Sequence, residues 1–194
     1  MRWFRRKNRN SRRDSLLGKL SQRAVCAEIG VFRGDFSERI LLLARPTRLH
    51  LIDPWKYEPE PAYERSLYGR SHVSGQPEMD AVFNSVRERF DQEIQVGTVV
   101  LHRATSDAAA DQFTDNYFDW VYIDGNHLYE FALRDLENYY PKVKTGGYIA
   151  GDDYGVEGWW KNGVTRAVEE FVARGGCAKR LGRGGQFLLQ KNRA

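Results

Sequence analysis

Residues 24–53, AVCAEIGVFRGDFSERILLLARPTRLHLID, decide the fold. Ala24 to Val31 is a short apolar run broken at Gly30, the pattern of a strand buried on both faces. Gly34 and Asp35 open a segment in which Phe36, Ile40, Leu41 and Leu43 recur at helical spacing as far as Ala44. Arg48 to Ile52 is apolar again, and Asp53-Pro54 ends it because proline has no N–H for a ladder. Strand, helix and strand in so short a span make the crossover unit of a parallel sheet.

The alternation continues outward. Met79 to Phe90 has helical spacing through Val82 and Val86, and Thr98 to Leu101 is a third strand followed by a helix near Ser106 to Phe113. Phe118 to Ile123 is a fourth strand, Leu128 to Tyr140 a helix, and Tyr148 to Ala150 a fifth strand entered through Gly146-Gly147. Gly163 to Ala173 is the last helix, and two closing strands, Lys179 to Leu181 and Phe187 to Gln190, flank the turn Gly184-Gly185. The chain is therefore expected to be α/β: a doubly wound, mostly parallel seven-stranded sheet covered on both faces, with an antiparallel C-terminal hairpin. Residues 55–78 have no clean period but hold Tyr57, Tyr63, Tyr68 and His72; they are expected to form a lid or substrate loop.

Length and charge bound the rest. At 194 residues one core is expected, in residues 24–194. Residues 1–23 hold nine basic residues and one acid, Asp14, whereas the remainder holds 21 basic and 25 acidic residues. The folded body is thus mildly acidic, and a nucleic-acid face on it is not expected. Residues 1–23 read as a basic, flexible tail with a short helix near Leu16 to Leu20, able to touch an anionic surface or RNA. No apolar run approaches the roughly 18–20 residues of a membrane span. Cys26 and Cys177 form no CxxC pair, so a reducing, cytoplasmic setting is the simplest expectation. An oligomer is compatible with all of this.

In a doubly wound sheet, ligands bind beyond the carboxyl ends of the strands. Here those ends carry Glu28-x-Gly30-x-x-x-Gly34, then Asp53, then Arg103-Ala-Thr-Ser106, then Asp124-Gly-Asn-His127, then Asp152-Asp153-Tyr154. Gly30 and Gly34 permit a tight turn close to a ligand, and Asp53 can accept both hydroxyls of a ribose. The middle glycine of GxGxxG is missing, so a close approach to pyrophosphate is not provided. A glutamate beside a glycine turn suits instead an ammonium group. A nicotinamide oxidoreductase remains the first alternative, and a non-catalytic, RNA-associated binding module the second. Asp124, Asp152 and Asp153 would bring three carboxylates together, a set that selects a hard cation such as Mg²⁺.

Four stretches in this order are similar to the class I S-adenosylmethionine-dependent methyltransferases, and most to their TylF-like and cephalosporin-hydroxylase-like group. They are Glu28 to Gly34, His50-Leu-Ile-Asp53-Pro-Trp55, Tyr122-Ile-Asp124-Gly-Asn-His127-x-Tyr129-Glu130, and Gly146 to Tyr154. The resemblance covers about residues 24–190 and implies a Rossmann-like methyltransferase fold. It further implies that Glu28, Gly30, Gly34, Asp53, Ser106 and Asp124 hold S-adenosylmethionine, and that Asp124, Asp152 and Asp153 bind a metal. The implied reaction is O-methylation of a small polar or sugar-containing acceptor. In one place the chain departs from the group: Asn126 stands where a second acid often serves as the base. Asp124 and His127 are then the candidate catalytic residues, His127 replacing that base because its ordinary pKa lies near neutrality.

Overall fold

The computed structural model describes residues 11–69 and 73–192. Residues 11–17 are helical (α1). They are followed by β1 (Val25–Ile29), α2 (Asp35–Ala44), β2 (Arg48–Asp53), a single 3-10 turn (Pro61–Tyr63), α3 (Gln76–Arg89) and α4 (Asp91–Gln95). Next come β3 (Val99–Arg103), α5 (Ser106–Ala110), β4 (Phe118–Ile123), α6 (Tyr129–Lys142) and β5 (Val143–Tyr154). The chain closes with α7 (Gly163–Ala173), β6 (Cys177–Arg183) and β7 (Gly185–Lys191).

The seven strands form one sheet in the order β3-β2-β1-β4-β5-β7-β6. β1 to β5 pair in parallel, and β7 runs antiparallel to both β5 and β6. The seven-stranded α/β expectation, with its antiparallel C-terminal pair, is met. Strand order reverses between β1 and β4, and this opens a crevice at their carboxyl ends.

Alternate residues of each strand serve opposite cores, as the period of two requires. Cys26, Leu49, Leu51, Trp120 and Tyr122 face one core with Phe36, Ile40 and Ala44 of α2 and Met79, Val82 and Val86 of α3. Ala27, Ile29, Val121 and Ile123 face the other, with α5, α6 and α7.

The expectation of a flexible tail over 1–23 is corrected where the structure describes it; residues 1–10 lie outside the described residues. Leu16, Leu17 and Leu20 are buried in the α2–α3 core, at 1%, 0% and 4% exposure. The Trp120 indole N–H donates to the Ser21 carbonyl at 3.1 Å. Burial of each leucine is worth about 1.5–3 kcal/mol, so the three together rival the net stability of a whole domain. The basic charge count had concealed an apolar face one helical turn long.

The two ends of the 55–78 segment are held together next to β2. Trp55 is fully buried, and Gln76, at the start of α3, donates from Nε2 to the Trp55 carbonyl at 2.9 Å. His72 lies outside the described residues. No helix among the described residues is long and apolar enough to cross a membrane.

Candidate functional site

The tips of β1 and β4 meet first. The Asp124 N–H donates to the Ile29 carbonyl at 2.8 Å, extending the ladder one residue beyond each strand. Gly30 then turns away with φ +87, and a Cβ there would stand 2.2 Å from the Asp124 carbonyl oxygen. Only glycine allows the two tips to lie this close. Gly34 also has φ +75, but a Cβ there would meet the Phe90 ring at 2.7 Å, so it serves the turn into α2 and packing.

Glu28 points from β1 toward α2 and is 1% exposed. The Ser37 hydroxyl donates to its Oε2 at 2.5 Å. Burial pushes its pKa up to about 8, with Ser37 and the charge of Arg13 partly opposing the rise. Asp53, also 1% exposed, accepts the N–H groups of Val31 and Phe32 at 2.9 Å each on Oδ2, and that of Trp55 at 2.7 Å on Oδ1. The Tyr68 hydroxyl donates to the same Oδ2. Burial raises the Asp53 pKa and these hydrogen bonds oppose it. Asp53 therefore fixes the glycine turn and the Tyr68 side chain to the end of β2.

On β4 and β5 the carboxylates divide. Asp124 Oδ1 lies 3.3 Å from His127 Nε2, and Asp153 Oδ2 lies 3.4 Å from the same nitrogen. Asp124, His127 and Asp153 each offer a ligand atom, all within 4.8 Å of one another. Asp153 adopts φ +60, a left-handed conformation costly for a residue other than glycine and often found at functional sites. Burial alone would lower the His127 pKa; the hydrogen bond and charge of Asp124, with Asp153 and Asp152, outweigh it and the net direction is up.

Asp152 takes no part in that trio. It is 4% exposed, and its Oδ2 accepts from Arg13 while its Oδ1 accepts from Gln186 Nε2. It follows Ala150 in strand alternation and shares its face, whereas Asp153 emerges on the opposite side. Of the expected set Asp124–Asp152–Asp153, the structure brings Asp124 and Asp153 together with His127 and turns Asp152 away. Two carboxylate oxygens and an imidazole nitrogen at this spacing fit one face of a divalent ion's coordination shell, with water or substrate oxygens completing it.

The Ser106 hydroxyl donates to Asp135 Oδ1 at 2.5 Å, and the other oxygen of Asp135 lies beside Gly125 at the end of β4. Asn126 donates from Nδ2 to the Tyr63 hydroxyl at 2.8 Å and accepts the Leu128 N–H at 3.1 Å. Beside it the rings of Tyr63 and Trp159 lie 5.7 Å apart, and those of His127 and Trp160 4.7 Å apart. The sequence offers no signal for Arg13 or Gln186, and points to Tyr68 only as one aromatic of the expected lid or substrate loop. Each reaches the site from a segment whose local pattern reads as something else.

A family model described as a methyltransferase domain matches residues 27–154, which include every strand tip described above. Among curated proteins, the uncharacterized protein R132 of Acanthamoeba polyphaga mimivirus is 41% identical over 58 residues, covering 30% of this chain. The match spans only 26% of that relative's length. Among solved structures, the O-methyltransferase NovP aligns with a TM-score of 0.60 at 20% identity, covering 96% of this chain and 80% of NovP. The N-methyltransferase NodS from Bradyrhizobium japonicum aligns with a TM-score of 0.60 at 14% identity, covering 95% and 97%. SMU.1697c from Streptococcus mutans, solved with SAH, aligns with a TM-score of 0.58 at 11% identity, covering 94% and 96%. At these identities the structures attest to the fold alone.

Proposed function

The chain belongs to the methyltransferase-domain family, and from that premise we propose that it transfers a methyl group from S-adenosylmethionine to a hydroxyl of a small polar or sugar-containing acceptor. The observation that carries this reading is the gathering of Glu28, Gly30, Asp53 and Asp124 where strand order reverses between β1 and β4. A buried acid, a turn without a Cβ and two further carboxylates suit a nucleoside bearing positive charge. Phe32 stands where GxGxxG has its middle glycine and would keep a pyrophosphate from the turn, which speaks against the nicotinamide alternative.

In this reading Glu28 and Asp124 face the ammonium of the cofactor's methionine part, and Asp53 accepts ribose hydroxyls where Tyr68 now donates. S-adenosylmethionine supplies the methyl group on a sulfonium, which leaves as a neutral thioether. The protein's own contribution is to hold sulfur, methyl carbon and acceptor oxygen in line and to exclude water. Asp124, His127 and Asp153 would hold a divalent ion such as Mg²⁺, which lowers the pKa of a bound hydroxyl. With an ion held there the three groups would serve as ligands and the acceptor's proton would leave to solvent water; without one, His127, whose ordinary pKa is nearest neutrality, takes the proton. The aromatic wall of Tyr63, Trp159 and Trp160 supports a ring-shaped acceptor.

Isothermal titration of the full chain with S-adenosylmethionine tests the first half: absence of binding at millimolar concentration refutes it. Methylation of a hydroxyl library that is unchanged by EDTA refutes the metal.

A further inference from the structure

The N-terminal helix sends one side chain into the candidate site. Arg13 is 9% exposed, and its Nε donates to Asp152 Oδ2 at 3.1 Å. Its Nη2 donates to that oxygen and to Asp124 Oδ2. The guanidinium lies over the Phe36 ring, 4.7 Å from its centroid, and 5.7 Å from that of Tyr122. A single cation therefore joins the tips of β4 and β5, enclosed by aromatic faces from α2 and β4. The two oxygens of Asp124 are divided as a result: Oδ2 belongs to Arg13, and Oδ1 faces His127.

A plug would have to withdraw before ligand enters, and the attachments of α1 speak against this. Leu16, Leu17 and Leu20 are buried in the core. Asp14 accepts two hydrogen bonds from Arg39 of α2, and Arg12 donates from Nη1 to the Gly184 carbonyl at 3.1 Å, in the β6–β7 turn. A helix tied to the core, to α2 and to the sheet edge is part of the frame.

We infer that Arg13 is a positioning residue of the site: by holding Asp124 Oδ2 and Asp152 Oδ2 it turns the remaining Asp124 oxygen toward the ligand side of the crevice, and cofactor affinity depends on it. The inference rests on the reading of Asp124 as a cofactor-binding residue. A guanidinium is required because its planar fork reaches both carboxylates in one orientation, which a lysine ammonium does not do.

The test compares full-length wild type, Arg13→Lys, Arg13→Met and the double variant Arg13→Met/Asp152→Leu, measuring melting temperature and, well below every transition, S-adenosylmethionine affinity by calorimetry. Arg13→Met is expected to melt lower and to bind at least tenfold more weakly, because two carboxylates lose their shared cation. In the double variant an apolar pair replaces the ion pair beside Phe36 and Tyr122, so most of the melting loss is recovered. Affinity there is expected to stay at least tenfold weak, since Asp124 is still unheld, and Arg13→Lys is expected to bind at an intermediate strength. If Arg13→Met does not fold, the double variant and Arg13→Lys carry the comparison. Wild-type affinity within twofold in the double variant would mean that Arg13 is a structural ion pair only, and overturns the inference. A wild type that binds no cofactor overturns the proposed function instead, and with it the premise.

Discussion

Replacing Glu28 by Gln should make the protein more stable and its cofactor binding worse. Glu28 is 1% exposed, and burial lifts its pKa from the ordinary 4.5 to about 8. For an acid with a raised folded pKa, stability is complete below the ordinary value and is lost as pH rises toward the folded value. Each pH unit in that window costs about 1.4 kcal/mol, which sets a ceiling of about 5 kcal/mol at pH 8 and about 2 kcal/mol at pH 6. Glutamine keeps the shape and still accepts the Ser37 hydroxyl, but never has to ionise. Urea unfolding of wild type and Glu28→Gln at pH 5, 6, 7 and 8 should therefore show near-equal midpoints at pH 5 and a growing advantage for the variant above it. Calorimetry at pH 8 should show the opposite ranking for S-adenosylmethionine, because the variant has no charge to offer an ammonium. A variant that is no more stable than wild type at pH 8, or an advantage that does not grow with pH, would refute the reasoning.

Leu17→Ala should cost about 2–5 kcal/mol in urea unfolding, because Leu17 is fully buried beside α2; a flexible tail would allow less than about 0.5 kcal/mol. Gly30→Ala would set a methyl group against the Asp124 carbonyl at positive φ, and should abolish cofactor binding in calorimetry while Gly97→Ala, with open space around its Cβ, leaves it intact. Asp153→Asn should weaken Mn²⁺ binding, followed by electron paramagnetic resonance, at least tenfold, whereas Ser106→Ala should leave it unchanged. On the far side of β2, burial and the facing His102 lower the His50 pKa to about 4, with Arg48 adding to the effect and Tyr117, Phe113 and Phe118 packed around it. A base kept neutral contributes stability above the ordinary value of 6.5 that is lost as pH falls toward 4, so His50→Gln should flatten the acid limb of the unfolding midpoint in that window.

Elements with a strong period of their own could be read directly. The helices Asp35–Ala44 and Gly163–Ala173 and the strand Phe118–Ile123 begin and end where their apolar spacing says. The apolar run Tyr148 to Ala150 predicts a short β5 entered through Gly146-Gly147, whereas the strand runs from Val143 to Tyr154. β4 pairs with Val143 and next with Tyr148, so Gly146-Gly147, with Gly146 at φ +78, forms an irregularity inside the strand rather than its beginning. The short helix Asp91–Gln95 has no apolar stripe to announce it, and no residue of it is buried. That Glu28, Gly30, Asp53 and Asp124 stand at neighbouring strand ends was legible, because a parallel sheet must bring those ends together. The exchange of Asp152 for His127 was not, because adjacent aspartates look alike in sequence while the pleat sends them to opposite faces.

Arg13 shows why charge counting fails for a single residue. Within the segment 1–23 it is one basic residue among nine, and the bland reading of such a run is a solvated surface. Three leucines following it change its position from solvent to crevice. Once there, it faces a site already rich in acid, where Glu28, Asp53 and Asp152 are all nearly inaccessible. Burying that many carboxyl groups is unfavourable unless a cation or a proton accompanies them. Arg13 is the cation that the protein itself supplies, for Asp152 and for one oxygen of Asp124. Glu28, by contrast, is answered only by the Ser37 hydroxyl and the more distant charge of Arg13, so in the ligand-free protein its burial favours the proton. A positively charged ligand entering between β1 and β4 would replace that proton and favour the carboxylate. Proton release on cofactor binding at pH 7, seen as a buffer-dependent enthalpy in calorimetry, is therefore required if Glu28 meets the cofactor's ammonium; a binding enthalpy independent of the buffer's ionisation heat would separate the two.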